Sequence, residues 1–264
     1  LVGGGDDGLT YDATFNWPYG VCVDPSGITS VVEHGNDNVR AITVGGTVST
    51  IGGDGTEGFL ERPTAGSPAS QFYNPGKVVN QGTTALFVAE RARVRRLNVA
   101  DKVTSTVAGR SDGVSGFIDG QNAVLAATLG GIAIDAAGDL YVGENTDGFS
   151  IRKITMGPPT VTTTIAGTGA SGNTNADDVL SQFSSPRGIM LDGAGYLLIA
   201  DEGNGAIRMI SPEGFITTEQ SGIIGPFDIA TTAAWSHAYV PTTASCVKFS
   251  GMTAAPTDAP SDAP

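Results

Sequence analysis

The sequence predicts an all-β chain in which four-stranded antiparallel sheets repeat around an axis, a β-propeller of five blades. Three observations carry this expectation. Arg40, Arg95, Arg152 and Arg208 follow one another at spacings of 55, 57 and 56 residues, and a fixed period of this length marks a repeat architecture. Glycine fills 38 of 264 positions while charged residues make up only 16%, a supply suited to short strands and tight turns rather than helices. Apolar and polar residues alternate between Gly, Pro, Asn and Asp clusters, the signal of hairpins.

Each unit opens with a strand of the form Gly-apolar-x-apolar-Asp. It reads Gly20-Val21-Cys22-Val23-Asp24, then Gly131-Ile132-Ala133-Ile134-Asp135, then Gly188-Ile189-Met190-Leu191-Asp192, with a degenerate copy at Pro75-Gly76-Lys77-Val78-Val79. A second strand follows and ends in an acid: Val32-Glu33, Ala89-Glu90, Gly143-Glu144 and Ala200-Asp201. After a polar loop the third strand carries the arginine. The fourth ends as Thr50-Ile51-Gly52-Gly53, Thr106-Val107-Ala108-Gly109 and Thr164-Ile165-Ala166-Gly167. One such sheet cannot bury both faces, but several set radially can.

The fifth unit is incomplete. Pro226-Phe227-Asp228-Ile229-Ala230 opens it, Ala238-Tyr239-Val240 supplies a second strand, and Cys246-Val247-Lys248-Phe249 puts Lys248 in the arginine slot. No fourth strand follows. Leu1-Val2-Gly3-Gly4 mirrors Thr50-Ile51-Gly52-Gly53, so the amino-terminal strand is expected to close the last blade. The propeller is then residues 1–251, and residues 252–264 form an extended tail.

The pattern Pro-x-Gly-apolar-x-apolar-Asp-x-x-Gly-x-apolar-apolar-x-Ala-Asp-x-x-Asn-x-x-Ile-Arg, clearest over residues 186–210, resembles the NHL repeat of extracellular and bacterial type. Residues 55–72 and 113–129 resemble the linkers of the same family. The resemblance implies a propeller and leaves activity to the site, because NHL propellers scaffold protein contacts, bind RNA or carry metal-dependent chemistry.

The second-to-third-strand loops share one face with blade linkers of about twenty residues, a length usual for functional loops. Glu33, Asn36, Asp37, Glu90, Glu144, Asn145, Asp201 and Asn204 belong to this face. They could form a ring of hard oxygen donors for Ca²⁺, as in gluconolactonase-type propellers. Alternatively each acid pairs with its own blade's Arg40, Arg95, Arg152 or Arg208, a structural repeat needing no cofactor. Pro241 replaces the acid in the fifth unit. Histidine is limited to His34 and His237; His34, in a polar loop, is expected to face solvent. No nucleophile elbow occurs, and no catalytic residue is assigned. Arg91, Arg93, Arg95 and Arg96 are expected to alternate between solvent and carboxylates, and Phe59 and Phe117 to pin the long linkers to the sheets. Cys22 and Cys246 allow one intrachain disulfide.

A formal net charge of −13 disfavours nucleic acid and anionic membranes, and no run of 18 apolar residues supports membrane insertion. The tail is rich in Thr, Ser and Pro and reads as a polyproline II stalk, with Thr253, Thr257 and Ser261 as O-glycosylation candidates. The expectation is a non-catalytic extracellular or cell-surface propeller, a glycosylated subunit of a fibre or surface assembly. Its partners would be copies of itself or another surface protein. The alternatives are a metal-dependent lactonase or esterase and a sensor of a small ligand or sugar.

Overall fold

The computed structural model describes residues 4–176, 178–231, 237–243 and 245–250. A two-residue strand β1 (Gly8–Leu9) precedes the first sheet, made of β2 (Pro18–Val23), β3 (Thr29–Glu33), β4 (Asn38–Ile42) and β5 (Thr47–Gly52). The second holds β6 (Lys77–Gln81), β7 (Ala85–Glu90), β8 (Arg93–Asn98) and β9 (Thr104–Gly109). The third holds β10 (Thr128–Ile134), β11 (Leu140–Thr146), β12 (Ser150–Thr155) and β13 (Val161–Ala166). The fourth holds β14 (Pro186–Leu191), β15 (Leu197–Asp201), β16 (Ala206–Ile210) and β17 (Ile216–Gln220). A last sheet has β18 (Ala230–Thr231), β19 (His237–Pro241) and β20 (Cys246–Ser250). Every pairing between these strands is antiparallel, in simple up-and-down order.

The repeat's conserved letters have local reasons. Asp24, Asp135 and Asp192 each accept two backbone N–H groups from the turn that follows, as in Ala194 N at 2.9 Å and Tyr196 N at 2.7 Å to Asp192; such Asx turns fix the first hairpin. The ladder between third and fourth strands slips immediately before the arginine in all four complete sheets, at Val39/Arg40, Val94/Arg95, Ile151/Arg152 and Ile207/Arg208. Bulges of this kind re-aim a side chain. Gly53, Gly109 and Gly167 have φ of 89°, 87° and 100°, and a Cβ there would meet the carbonyls of Asp37, Ala92 and Phe149 within 2.6 Å. Only glycine satisfies both demands.

Cores lie between successive sheets. Val32, Val39, Phe72, Val88 and Leu97 join the first to the second, and Phe87, Val94, Leu125, Val142 and Ile154 the second to the third. Ile151, Phe183, Ile189 and Ile199 join the third to the fourth, and Leu198, Ile207, Ala238 and Val240 the fourth to the last. No such cluster joins the last sheet to the first among the described residues. Val21 and Val23, on the β2 face turned away from the second sheet, are 64% and 58% exposed.

The amino-terminal segment lies on the first sheet. β1 pairs with β5 through Gly8↔Val48 and Leu9↔Thr47, and Gly4 O accepts Asn36 Nδ2 at 3.0 Å as Gly172 O accepts Asn204 Nδ2 at 2.7 Å. Gly4 therefore occupies a linker position rather than the end of an outer strand. Leu1, Val2 and Gly3, expected to close the last sheet, lie outside the described residues, as does the tail with Thr253, Thr257 and Ser261.

Candidate functional site

The four acids and four arginines form one clamp, repeated. One carboxylate oxygen of each acid accepts the backbone N–H of a linker residue: Asn16 to Glu33 at 2.6 Å, Tyr73 to Glu90 at 2.7 Å, Ala126 to Glu144 at 2.9 Å and Ser184 to Asp201 at 2.7 Å. The arginine of the same sheet also reaches the acid, at 2.9, 3.5, 2.7 and 3.1 Å for Arg40, Arg95, Arg152 and Arg208. All eight side chains are buried. Charges withdrawn from water hold only when paired and hydrogen-bonded, and here both conditions are met. Burial pushes the Asp201 carboxyl upward, opposed by Asn204, Ser184 and Arg208. Burial likewise raises Glu90, opposed by Arg93 and Arg95.

The free arm of each guanidinium ties down the linker that precedes its own sheet. Arg40 donates to Asp6 O, Arg95 to Leu60 O, Arg152 to Ile118 O and Arg208 to Thr174 O, at 2.8 to 3.2 Å. A linker acid or amide then bridges to a threonine of the outer strand: Asp7 to Thr50, Glu61 to Thr106, Asp119 to Thr164 and Asn175 to Thr218. An aromatic ring backs each guanidinium, Phe15 at 5.2 Å and Phe72, Phe117 and Phe183 at 4.9 Å. Phe15, Phe72 and Phe183 each stand one residue before the N–H that meets the acid. In the third sheet Leu125 has that place, and Phe117, from earlier in the linker, covers Arg152 instead.

The expected ring of oxygen donors is thus distributed among separate clamps. Asn36 and Asn204 bond their own acid, Glu33 at 3.0 Å and Asp201 at 2.7 Å. Asp37 accepts Asn74 N at 2.9 Å from the next linker; burial raises its pKa, with Glu57 nearby adding to the shift. No group of three His, Cys, Asp or Glu side chains converges in metal-binding fashion among the described residues. Lys248, expected in the arginine slot, stands one residue beyond it: Val247 pairs with Val240 at the arginine level, while Lys248 pairs with Tyr239 as Lys153 pairs with Tyr141 and is exposed, its ammonium 5.8 Å from the Tyr239 ring. The acid slot of the last sheet accordingly falls on Thr242 rather than on Pro241.

The central cavity, of about 660 Å³, is lined in each complete sheet by the residue after the acid: His34, Arg91, Asn145 and Glu202. Where the clamp repeats, this position differs in every sheet. Two adjacent strand-opening positions add to it, Tyr19, Arg187 and Phe227 at the first and Lys77 and Asp228 at the second. Lys77 pairs with Asp228 at 2.6 Å, and Arg187 pairs with Glu202 at 2.7 Å while donating to Tyr19 Oη at 3.0 Å. His34 is stacked against Trp17 at 6.4 Å and meets Tyr19 at 5.8 Å, so it belongs to the cavity wall. Asn145 is the residue of the expected ring that both lines this space and remains outside a clamp. Its neighbours Glu202 and Arg187 were not singled out by the sequence; the register of the repeats was the signal that marks them.

Arg93 and Arg95 are both buried against Glu90, and Arg93 lies over Phe59 at 4.6 Å. Alternation therefore fails within that cluster, because Arg93 is drawn under the linker by the same carboxylate. Cys22 and Cys246 are free thiols. Cys22 packs its side chain on the core shared with the second sheet, whereas Cys246 is exposed on the last sheet, so the bridge is not formed. Burial, with Asp24 adding to it, pushes the Cys22 thiol up to about 12.

No family model and no curated protein matches the chain. Solved structures do. A streptogramin B lyase is similar at TM-score 0.58 and 12% identity, over 94% of this chain and 73% of that one. An auxiliary nutrient binding protein from Bacteroides ovatus is similar at TM-score 0.53 and 12% identity, over 90% of this chain and 69% of that one. The extracellular domain of a hybrid two-component system from Bacteroides thetaiotaomicron is similar at TM-score 0.61 and 13% identity, over 91% of this chain and 29% of that one. These likenesses, with the repeated sheets, show that the fold is a β-propeller.

Proposed function

We propose that this chain is a non-catalytic binding propeller of NHL type that works outside the cell or on its surface and receives its ligand in the central cavity. The observation that carries this reading is the division of labour within each repeat. The acid is constant and fully spent on the clamp, while the next residue faces the cavity and changes from His34 to Arg91, Asn145 and Glu202. Repeats that keep the scaffold and vary the wall build one asymmetric site. Two of the similar structures are an extracellular sensor domain and a nutrient binding protein, which supports the location and the binding role. The metal-dependent hydrolase alternative draws no support from the four acids, whose oxygens are already occupied. The test is a thermal-shift screen of extracellular sugars, peptides and carboxylates. Hits should raise the melting temperature, lose the effect in Asn145→Ala or His34→Ala, and be recovered chemically unchanged. Hits indifferent to both substitutions, or converted to product, would overturn the proposal.

A second reading concerns assembly. β20 has no fourth-strand partner among the described residues, whereas the other four sheets each have one. An unpaired edge accepts a strand from another chain. On this reading five blades are completed by strand exchange between copies, and residues 252–264 serve as an O-glycosylated stalk. Light scattering of the full chain should then show multimers; monomers at all concentrations would exclude it.

A further inference from the structure

The charges on the cavity wall do not balance, and the imbalance identifies a ligand. Lys77 is neutralised by Asp228 and Arg187 by Glu202, and Glu90 is committed to Arg93, Arg95 and Tyr73 N. Arg91 is different. It is exposed, lies over the Tyr73 ring at 5.1 Å, and has no carboxylate paired to it among the described residues. A chain of net charge −13 thus leaves one guanidinium unspent on the cavity wall. The planar fork of an unpaired guanidinium favours two-point recognition of a carboxylate.

The same cavity carries Tyr19 and His34 on its wall, with Trp17 stacked against His34. Trp17 is 72% exposed and Tyr19 50% exposed, and His34 connects them. Trp17 has φ of 48°, as Asn74 and Ser185 have 49° and 57° at the same place before Pro75 and Pro186, so this left-handed turn belongs to the repeat and the ring it carries is what differs. Flat, exposed rings take the C–H face of a sugar. Asn74, Thr128 and Asn145 complete the lining with neutral donors and acceptors suited to hydroxyl groups.

We infer that the cavity binds a carboxylated sugar, with the carboxylate on Arg91 and the ring against Tyr19 and His34. This deepens the binding reading above and rests on it. A phosphate is the poorer fit, because its charge of roughly −1.5 to −2 asks for more than one unspent cation. An aromatic acid would leave the amides and Thr128 without partners.

The experiment titrates the full chain with glucuronate, galacturonate and N-acetylneuraminate by calorimetry, with glucose, galactose, benzoate and inorganic phosphate as separate arms. At least one acidic sugar should bind, with its neutral counterpart about tenfold weaker or more. Arg91→Ala should weaken that binding by about tenfold or more and Arg91→Lys by less, since the charge survives but the fork does not. Both should fold with at most a small fall in melting temperature, because the side chain is exposed and its contact is with the Tyr73 ring alone among the described residues. Equal binding of neutral sugars, tighter binding of benzoate or phosphate, or indifference to Arg91→Ala would each overturn the inference. If no acidic sugar binds while the thermal-shift screen still finds a cavity ligand, the ligand class alone is wrong. If both fail, the binding reading falls with it.

Discussion

Lys77 Nζ and Asp228 Oδ2 lie 2.6 Å apart across 151 residues of sequence, and each stands where three other repeats have glycine, at Gly20, Gly131 and Gly188. Those glycines let inner strands approach closely: a Cβ on Gly188 would meet the Cα of Asp228 at 2.6 Å. The two exceptions face each other and tie the second sheet to the last.

Lys77→Ala and Asp228→Ala should each cost about 0.5–1 kcal/mol, the range of a partly exposed pair. The double variant should lose less than the sum of the two, with a coupling that shrinks as salt is raised. Urea melts of the four proteins measure it. Strictly additive losses would mean the ion pair contributes nothing in solution.

The buried clamps should behave differently. Asp201→Asn leaves Arg208 charged and fully buried, and breaking such a pair costs about 3–5 kcal/mol. Lys248→Ala removes an exposed ammonium of the last sheet and should stay within about 0.5 kcal/mol. Calorimetric melting of both variants separates a buried charge pair from an exposed charge.

Much of this was legible in the sequence, for a physical reason. A clamp that must bury an arginine needs the same acid, linker spacing and fourth-strand threonine each time, so it leaves a periodic trace at Arg40, Arg95, Arg152 and Arg208. The cavity wall leaves none. His34, Arg91, Asn145 and Glu202 share a position but no chemistry, and each alone looks like a polar loop residue. Linker contacts were half legible: Phe117 was identified as a pin, but its substitution for the ring missing at Leu125 depends on where the linker crosses Arg152. The amino terminus is ambiguous in the sequence because Gly-Gly occurs both at strand ends and in linkers; Asn36, bonding Gly4 O, assigns Gly4 to a linker, while Leu1, Val2 and Gly3 lie outside the described residues.

Acid should weaken the hold of Asp7 on the first linker. Asp7 accepts Thr50 N at 3.0 Å and Thr50 Oγ1 at 3.1 Å and pairs with Arg40 at 2.8 Å. Burial pulls its pKa upward, but the Thr50 bonds and Arg40 carry it below 3.8. A depressed folded-state pKa gives stability that is present above the unfolded value and lost as pH falls through the folded one. Asp7→Asn should therefore lower the melting temperature at neutral pH and reduce the loss seen below pH 3.8. A parallel shift of the whole pH curve would show that Asp7 acts without titrating.

Removing Phe117 should loosen one linker and leave the propeller intact. Its ring covers Arg152 at 4.9 Å, a contact worth roughly 0.5–1 kcal/mol at a partly exposed site, and Leu125 still fills the core beneath. Phe117→Ala should speed proteolysis within residues 110–127 several-fold with little change in melting temperature. Phe183→Ala is the contrasting case, because that ring is fully buried between the third and fourth sheets, and its loss should cost about 3–5 kcal/mol. Mass spectrometry of early proteolytic fragments, read beside the two melts, separates a local pin from a core residue. Equal destabilisation by both would show that Phe117 belongs to the core after all.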